Sequence, residues 1–168
     1  MSESETWPDP YPVSYQDIND LAAREEGFNP ARLRFETIRR IEAVTGRPLI
    51  CYVSQTHGVP PGAPVSIDDG DLVGFGDLIR GVNQTPRIDV LIVSNGGAAE
   101  AAERIVALLR DSFEEVRLLI PGNAYSAATL ISLAGDEIVM TVLATLGPID
   151  PQINGIPARA ILRGFESV

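Results

Sequence analysis

Two short stretches hold the residues whose types and spacing suit acyl-transfer chemistry. The first is Ser94-Asn95-Gly96-Gly97, directly after the apolar run Ile88–Val93 and directly before a helical pattern. Two glycines there can take backbone conformations closed to other residues. Their N–H groups, with those of the helix start, attract negative charge, as an oxyanion hole must. The same pair also makes an ordinary tight turn. The second stretch is Gly122-Asn123-Ala124-Tyr125-Ser126. Ser126 stands six residues after Ile120, at the start of the next helical pattern, framed by Ala124, Ala127 and Ala128. Small neighbours let a substrate approach a serine hydroxyl closely. A serine in that place is also a very common helix N-cap. Asn95, Ala124, Tyr125 and Ala127 are the residues expected to line a substrate.

Other candidates are weaker. Ser132 is mid-helix, and Ser54 and Ser94 end strands without a frame of small residues. His57, the only histidine, lies in the proline-rich loop 54–64. Cys51 sits inside an apolar run and reads as a small core residue. Asp68-Asp69-Gly70-Asp71 resembles a metal loop only faintly, and helix capping explains it better. No metal site and no cofactor is expected.

The elements that must position these residues alternate. A proline-rich lead over 1–14 precedes a short helix at 15–26. Asn29-Pro30 reads as an N-cap with proline at the first helical position, opening a helix to about Thr45. Apolar runs at Leu49–Val53, Ile88–Val93, Val116–Ile120 and Glu137–Thr141 read as strands. Helices are expected at about 70–82, 98–110 and 125–134, and Thr145–Gln152 as an extended, proline-interrupted stretch. Strands apolar throughout and alternating with helices predict an α/β domain with a mostly parallel sheet. The expected organisation is an N-terminal arm and short helix over 1–30 and a single domain over 31–168.

In such a sheet, ligands bind at the carboxyl ends of the strands. The loops carrying His57, Asn95 to Gly97, and Gly122 to Ser126 all leave strands there, so they share one rim whatever the strand order. Composition narrows the ligand. The net charge is −10, and all thirteen basic residues are arginine. A polyanion does not attract nucleic acid or acidic membrane surfaces, so no nucleic acid partner is expected and a membrane surface is a poor one. No run approaches the ~20 apolar residues of a membrane span. With an acidic N-terminus and one cysteine, the chain reads as cytoplasmic.

Asp89-Val-Leu-Ile-Val-Ser-Asn-Gly-Gly97 and Pro121-Gly-Asn-Ala-Tyr-Ser-Ala-Ala-Thr-Leu130 together resemble the Clp-protease/crotonase superfamily. The branch most similar is the serine dehydrogenase proteinase family, related to signal peptide peptidase A. Leu146-Gly-Pro-Ile-Asp-Pro-Gln152 resembles a stretch of that branch, and the likeness covers roughly residues 47–163. It implies a spiral of ββα units and a serine peptidase, with Ser126 as nucleophile and Gly96 and Gly97 as oxyanion donors.

The general base departs from the family pattern. The branch uses a lysine, and this chain has none. Arg163, in Ala160-Ile-Leu-Arg163, occupies the stretch where it would be sought, and a guanidinium cannot act as a base. In the Clp subunit the base is a histidine downstream of the serine, whereas the counterpart region here holds Asp150-Pro151. His57, upstream, could serve as base by geometry, or be a solvated loop residue. Asp150 could orient it, act as a weak base, or shape a turn. Ser126 is followed by Ala-Ala, where many relatives have glycine. A base from a further part of the chain or from a neighbouring subunit also stays open.

Three functions follow. The first is a serine peptidase acting on a peptide or protein through an acyl-enzyme. The second is a degenerate member that binds a peptide or partner in the same groove. The third is a crotonase-like acyl-CoA enzyme, which the missing lysines disfavour. A homo-oligomer is expected, since relatives assemble into rings or stacked trimers.

Overall fold

The computed structural model describes residues 14–24, 29–54, 58–63, 65–82, 85–149, 152–153, 156–157 and 163. The chain divides into two compact units, Met1–Ile41 and Glu42–Val168.

The N-terminal helices begin as their sequences dictate. α1 (Tyr15–Arg24) opens with a reciprocal cap. The Asp17 N–H donates to Ser14 Oγ at 3.1 Å, and the Ser14 N–H to Asp17 Oδ2 at 2.9 Å. α2 (Pro30–Thr45) starts on proline, and Asn29 Oδ1 accepts the N–H groups of Ala31 and Arg32 at 3.0 and 3.2 Å.

From Glu42 onward the chain builds a parallel sheet in the order β1 (Leu49–Val53), β2 (Arg87–Val93), β3 (Glu115–Ile120), β5 (Glu137–Met140). Register pairs Ile50 with Val90, Ile88 with Val116 and Leu118 with Ile138. The connecting helices are α3 (Asp71–Gly81), α4 (Ala99–Ser112) and α5 (Ala127–Leu133). Ile88, Val90 and Ile92 of the central β2 are fully buried, as are Ala102 and Ile105 of α4 and Ala128 of α5. That continuous apolar burial is what a sheet covered on both faces requires.

Beyond the main strands runs a second layer of short rungs. β4 (Asn123–Ala124) pairs with β6 (Thr145–Leu146) in parallel, and Ser94 bridges Ala124. Three of the four main strands therefore lead into a short extended piece: β2 into Ser94, β3 into β4, β5 into β6. For β2 and β3 a helix follows, which is the ββα unit the resemblance implies. The rung at Asn123–Ala124 delays α5, which begins at Ala127 and not at 125 as the helical pattern suggested. β7 (Gln152–Ile153) and β8 (Ile156–Pro157) form an antiparallel pair that begins where the stretch read as extended, Thr145–Gln152, ends.

At the amino end of the sheet, charge is built into the structure. Asp89 of β2 is fully buried. Arg117 on β3 grips it with two hydrogen bonds, Nε to Oδ1 at 2.9 Å and Nη2 to Oδ2 at 2.7 Å. Arg47 lies 4.0 Å from the same carboxylate and reaches Glu115 at 2.5 Å. This bidentate pairing raises the pKa of Arg117 further.

Candidate functional site

The rim at the carboxyl ends of β2 and β3 brings the two candidate stretches together. The ladder continues past the strands: the Ser94 N–H donates to Asn123 O at 2.9 Å, and the Tyr125 N–H to Ser94 O at 3.0 Å. These bonds lay the glycine turn directly beside the serine loop. A Cβ on Gly96 would meet Tyr125 O at 2.5 Å, Ser126 Cβ at 2.8 Å and Ala127 N at 3.1 Å. Gly96 also holds φ at 97°, so glycine is required there twice over, by conformation and by closeness.

Ser126 precedes α5 with φ 51° and ψ −118°. It is the only non-glycine residue with positive φ among the described residues. Strain of this kind persists only where the surroundings impose it. Here they do: the Ser126 N–H donates to Pro148 O at 3.2 Å, and Ser126 O accepts the Leu130 N–H at 3.1 Å. The hydroxyl does not cap the helix. It is half-buried and has no hydrogen-bond partner among the described residues. The capping alternative for the Ser126 side chain therefore fails, because no helix-start N–H bonds to its hydroxyl.

The backbone N–H groups of the turn differ in their engagement. The Gly96 N–H donates to the buried Ser94 Oγ at 3.1 Å. Those of Gly97 and Ala127 have no acceptor among the described residues. Gly97 packs against Ile67, which lies between the loop 54–64 and α3. Ile67 bridges Gly97 in parallel, with the Ile67 N–H on Gly96 O at 2.9 Å and the Ala98 N–H on Ile67 O at 2.8 Å. A Cβ on Gly97 would collide with the Ile67 backbone. Ile67 is an isolated apolar residue between polar ones, and that isolation was the only signal for its buried place.

The residues expected to line a substrate sort by depth. Asn95 is exposed and Tyr125 half-buried. The side chains of Ala124 and Ala127 are buried, at 0% and 1% exposure. The Ala124 carbonyl is already taken by the Gly147 N–H at 2.9 Å and the Thr129 hydroxyl at 2.7 Å. Gly147 carries no side chain because the Tyr125 ring occupies the space a Cβ would need. The stretch Leu146-Gly147-Pro148 thus supports the serine loop from below.

His57 and Asp150 both lie outside the described residues. Arg163 is exposed. Cys51 is half-buried, and burial, then the nearby Glu42 carboxylate, pushes its thiol pKa up, keeping it protonated. Tyr52 donates to Asp71 Oδ2 at 3.0 Å; burial and that carboxylate raise its pKa. No cluster of metal-ligating side chains occurs among the described residues, and no helix there is long and apolar enough to cross a membrane.

The parallel sheet, its layer of rungs and the glycine turn packed on a helix-start serine define a ClpP-like α/β architecture. The chain belongs to the ClpP-like SDH-type serine proteinase family, whose sequence model matches residues 30–167. It is 34% identical over 140 residues to the uncharacterized protein MJ1495 of Methanocaldococcus jannaschii, covering 79% of this chain and 46% of that one. It is 35% identical over 112 residues to MJ0137 of the same organism, covering 65% and 37%. The chain thus spans less than half the length of these curated relatives. Two solved structures of the 1510-N membrane-bound stomatin-specific protease are also similar, both at a TM-score of 0.49. A serine-to-alanine variant is 23% identical, covering 60% of this chain and 54% of that one. A lysine-to-alanine variant in complex with a substrate peptide is 28% identical, covering 61% and 52%.

Proposed function

We propose that this chain carries the acyl-transfer site of a serine peptidase, with Ser126 as nucleophile and the N–H groups of Gly97 and Ala127 as the oxyanion donors. The observation that carries the reading is the strained, uncapped Ser126, set against a glycine turn that leaves no room for a side chain. Of the two glycines, Gly97 is the better donor, because the Gly96 N–H is already held by Ser94.

In this mechanism Ser126 Oγ attacks the peptide carbonyl carbon and loses its proton to a base. The carbonyl oxygen gains charge and is held by the two free N–H groups, each typically worth ~3–4 kcal/mol to the transition state. The C–N bond then breaks, and the proton passes to the leaving amine. Water hydrolyses the resulting ester. The reading takes His57 as the base with Asp150 orienting it, since the serine proton needs a titratable side chain to accept it and arginine, always protonated, cannot. A peptide or protein segment is the substrate, flanked by Asn95 and Tyr125. The exposed apolar edge at Val139, Met140, Val142 and Leu143 supports a homo-oligomer.

A fluorophosphonate probe tests the reading. Mass mapping of the labelled protein should place the adduct on Ser126, and Ser126→Ala should abolish it. Absence of labelling at every pH tested would instead favour the chain as a binder of peptides that does not cleave them.

A further inference from the structure

The peptide groups of the glycine turn are pinned in sequence, and the pinning leaves one donor over. The 95–96 peptide is held through its N–H by Ser94 Oγ at 3.1 Å. The 96–97 peptide is held through its carbonyl by the Ile67 N–H at 2.9 Å. The 97–98 peptide is held through its N–H by Ile67 O at 2.8 Å. In a planar trans peptide the C=O and N–H point in opposite directions. Gripping the Gly96 carbonyl therefore turns the Gly97 N–H away from Ile67. The Ser126–Ala127 peptide obeys the same rule. Its carbonyl points along α5 to Leu130, so the Ala127 N–H points out of the helix start.

Neither pin is a surface accident. Ser94 is 0% and Ile67 1% exposed. A serine hydroxyl sealed in a core is retained only when it is hydrogen-bonded. This one accepts from the turn itself, and Ser94 continues through its backbone to Asn123 and Tyr125 of the serine loop. One residue thus ties both halves of the site together.

We propose that Ser94 and the backbone of Ile67 are positioning elements that hold the Gly97 N–H in its donor orientation. The proposal rests on the peptidase reading of the same site. Neither residue touches the substrate. Without the Ser94 hydroxyl, the Gly96 N–H is left unpaired in a buried place, and the 95–96 and 96–97 peptides can rotate together to relieve it. The Gly97 N–H then leaves the position a developing oxyanion would occupy.

The test uses the whole chain, parent and Ser94→Ala, with Ile88→Val as a control for general loosening at the far end of β2. Two readouts are taken. Fluorophosphonate inactivation is resolved into the affinity for the probe, KI, and the rate of bond formation, kinact. Amide hydrogen exchange is followed by NMR at Gly96 and Gly97. Ser94→Ala should lower kinact about tenfold or more with KI little changed, since a displaced donor acts on the transition state. The Gly96 amide should lose its protection. Ile88→Val should lower Tm with kinact unchanged. Parental kinact in Ser94→Ala, or a Gly96 amide as protected as before, would overturn the positioning role. A parent that takes no label overturns the peptidase reading instead, and the exchange at Gly96 still decides whether Ser94 holds the turn.

Discussion

A Cβ placed on Gly96 would stand 2.8 Å from the Cβ of Ser126. The two loops are in van der Waals contact through the absence of a side chain, and this contact makes the turn and the hydroxyl a single site. Gly96→Ala must therefore both push the Ser126 loop aside and hold alanine at φ 97°. The variant should lose roughly 2 kcal/mol or more of stability. It should also lose labelling at Ser126, even at temperatures where circular dichroism shows it folded. Full labelling in a folded Gly96→Ala protein would mean that the two loops are not coupled.

Ser126 is held at φ 51° against the preference of its type. Ser126→Gly removes that strain and should raise stability by about 1 kcal/mol, after the entropy cost of glycine, while abolishing chemistry. Ser126→Ala should abolish chemistry without that gain. Denaturant midpoints of the two variants make the comparison, and equal midpoints would show that the backbone is not strained.

Gly147→Ala places a methyl group into the Tyr125 ring. The displacement should travel to the adjacent Pro148 carbonyl, which accepts the Ser126 N–H. Labelling at Ser126 should slow about tenfold, with a stability loss of roughly 1–3 kcal/mol, the usual cost of overpacking. Tyr125→Ala should restore space and recover part of the stability of the double variant.

Removing Asp89 takes both short hydrogen bonds from the half-buried Arg117 and leaves it the longer contact to Glu137 at 3.8 Å. Asp89→Ala should cost about 1.5–3 kcal/mol in denaturant unfolding, the usual loss when a charged hydrogen-bonding partner is removed. Replacing both partners, Asp89→Leu with Arg117→Met, should recover much of the loss. These changes lie at the amino end of the sheet, so the surviving folded protein should still label at Ser126.

Asp136 has its pKa lowered from the ordinary carboxylate value of 3.8, first by the hydrogen bond from Arg110 and then by that from the Val116 N–H. A folded-state pKa below the unfolded one stabilises the fold at pH above the unfolded value, ~3.9. That stability is lost as pH falls through the folded pKa. Tm measured from neutral pH into acid should thus decline less steeply below about pH 4 in Asp136→Asn than in the parent. Identical acid limbs would remove Asp136 from the account.

Much of this arrangement was legible in the residues. The apolar runs Leu49–Val53, Ile88–Val93 and Val116–Ile120 were readable as strands because they are short, rich in β-branched residues and bounded by turn residues, as strands of a covered parallel sheet are. Gly96-Gly97 and Ser126 fall on one rim because parallel strands deliver every following loop to the same edge. The β4 rung was hidden, since two residues have no periodicity and its partner, Thr145–Leu146, lies far along the chain. The clamp at Ile67 was hidden for the same reason: a lone apolar residue in a loop does not declare what it covers. The strain at Ser126 is a tertiary effect, set by Pro148 and by Gly96, and no local propensity records it.

The central claim is that one carbonyl oxygen is held by Gly97 and Ala127 while its carbon is bonded to Ser126. The most direct measurement is a crystal structure of the fluorophosphonate adduct of the full chain. The account predicts phosphorus on Ser126 Oγ and one phosphonyl oxygen within about 2.7–3.1 Å of both the Gly97 and Ala127 nitrogens. An adduct whose oxygens all face solvent, or one formed on a residue other than Ser126, would contradict it.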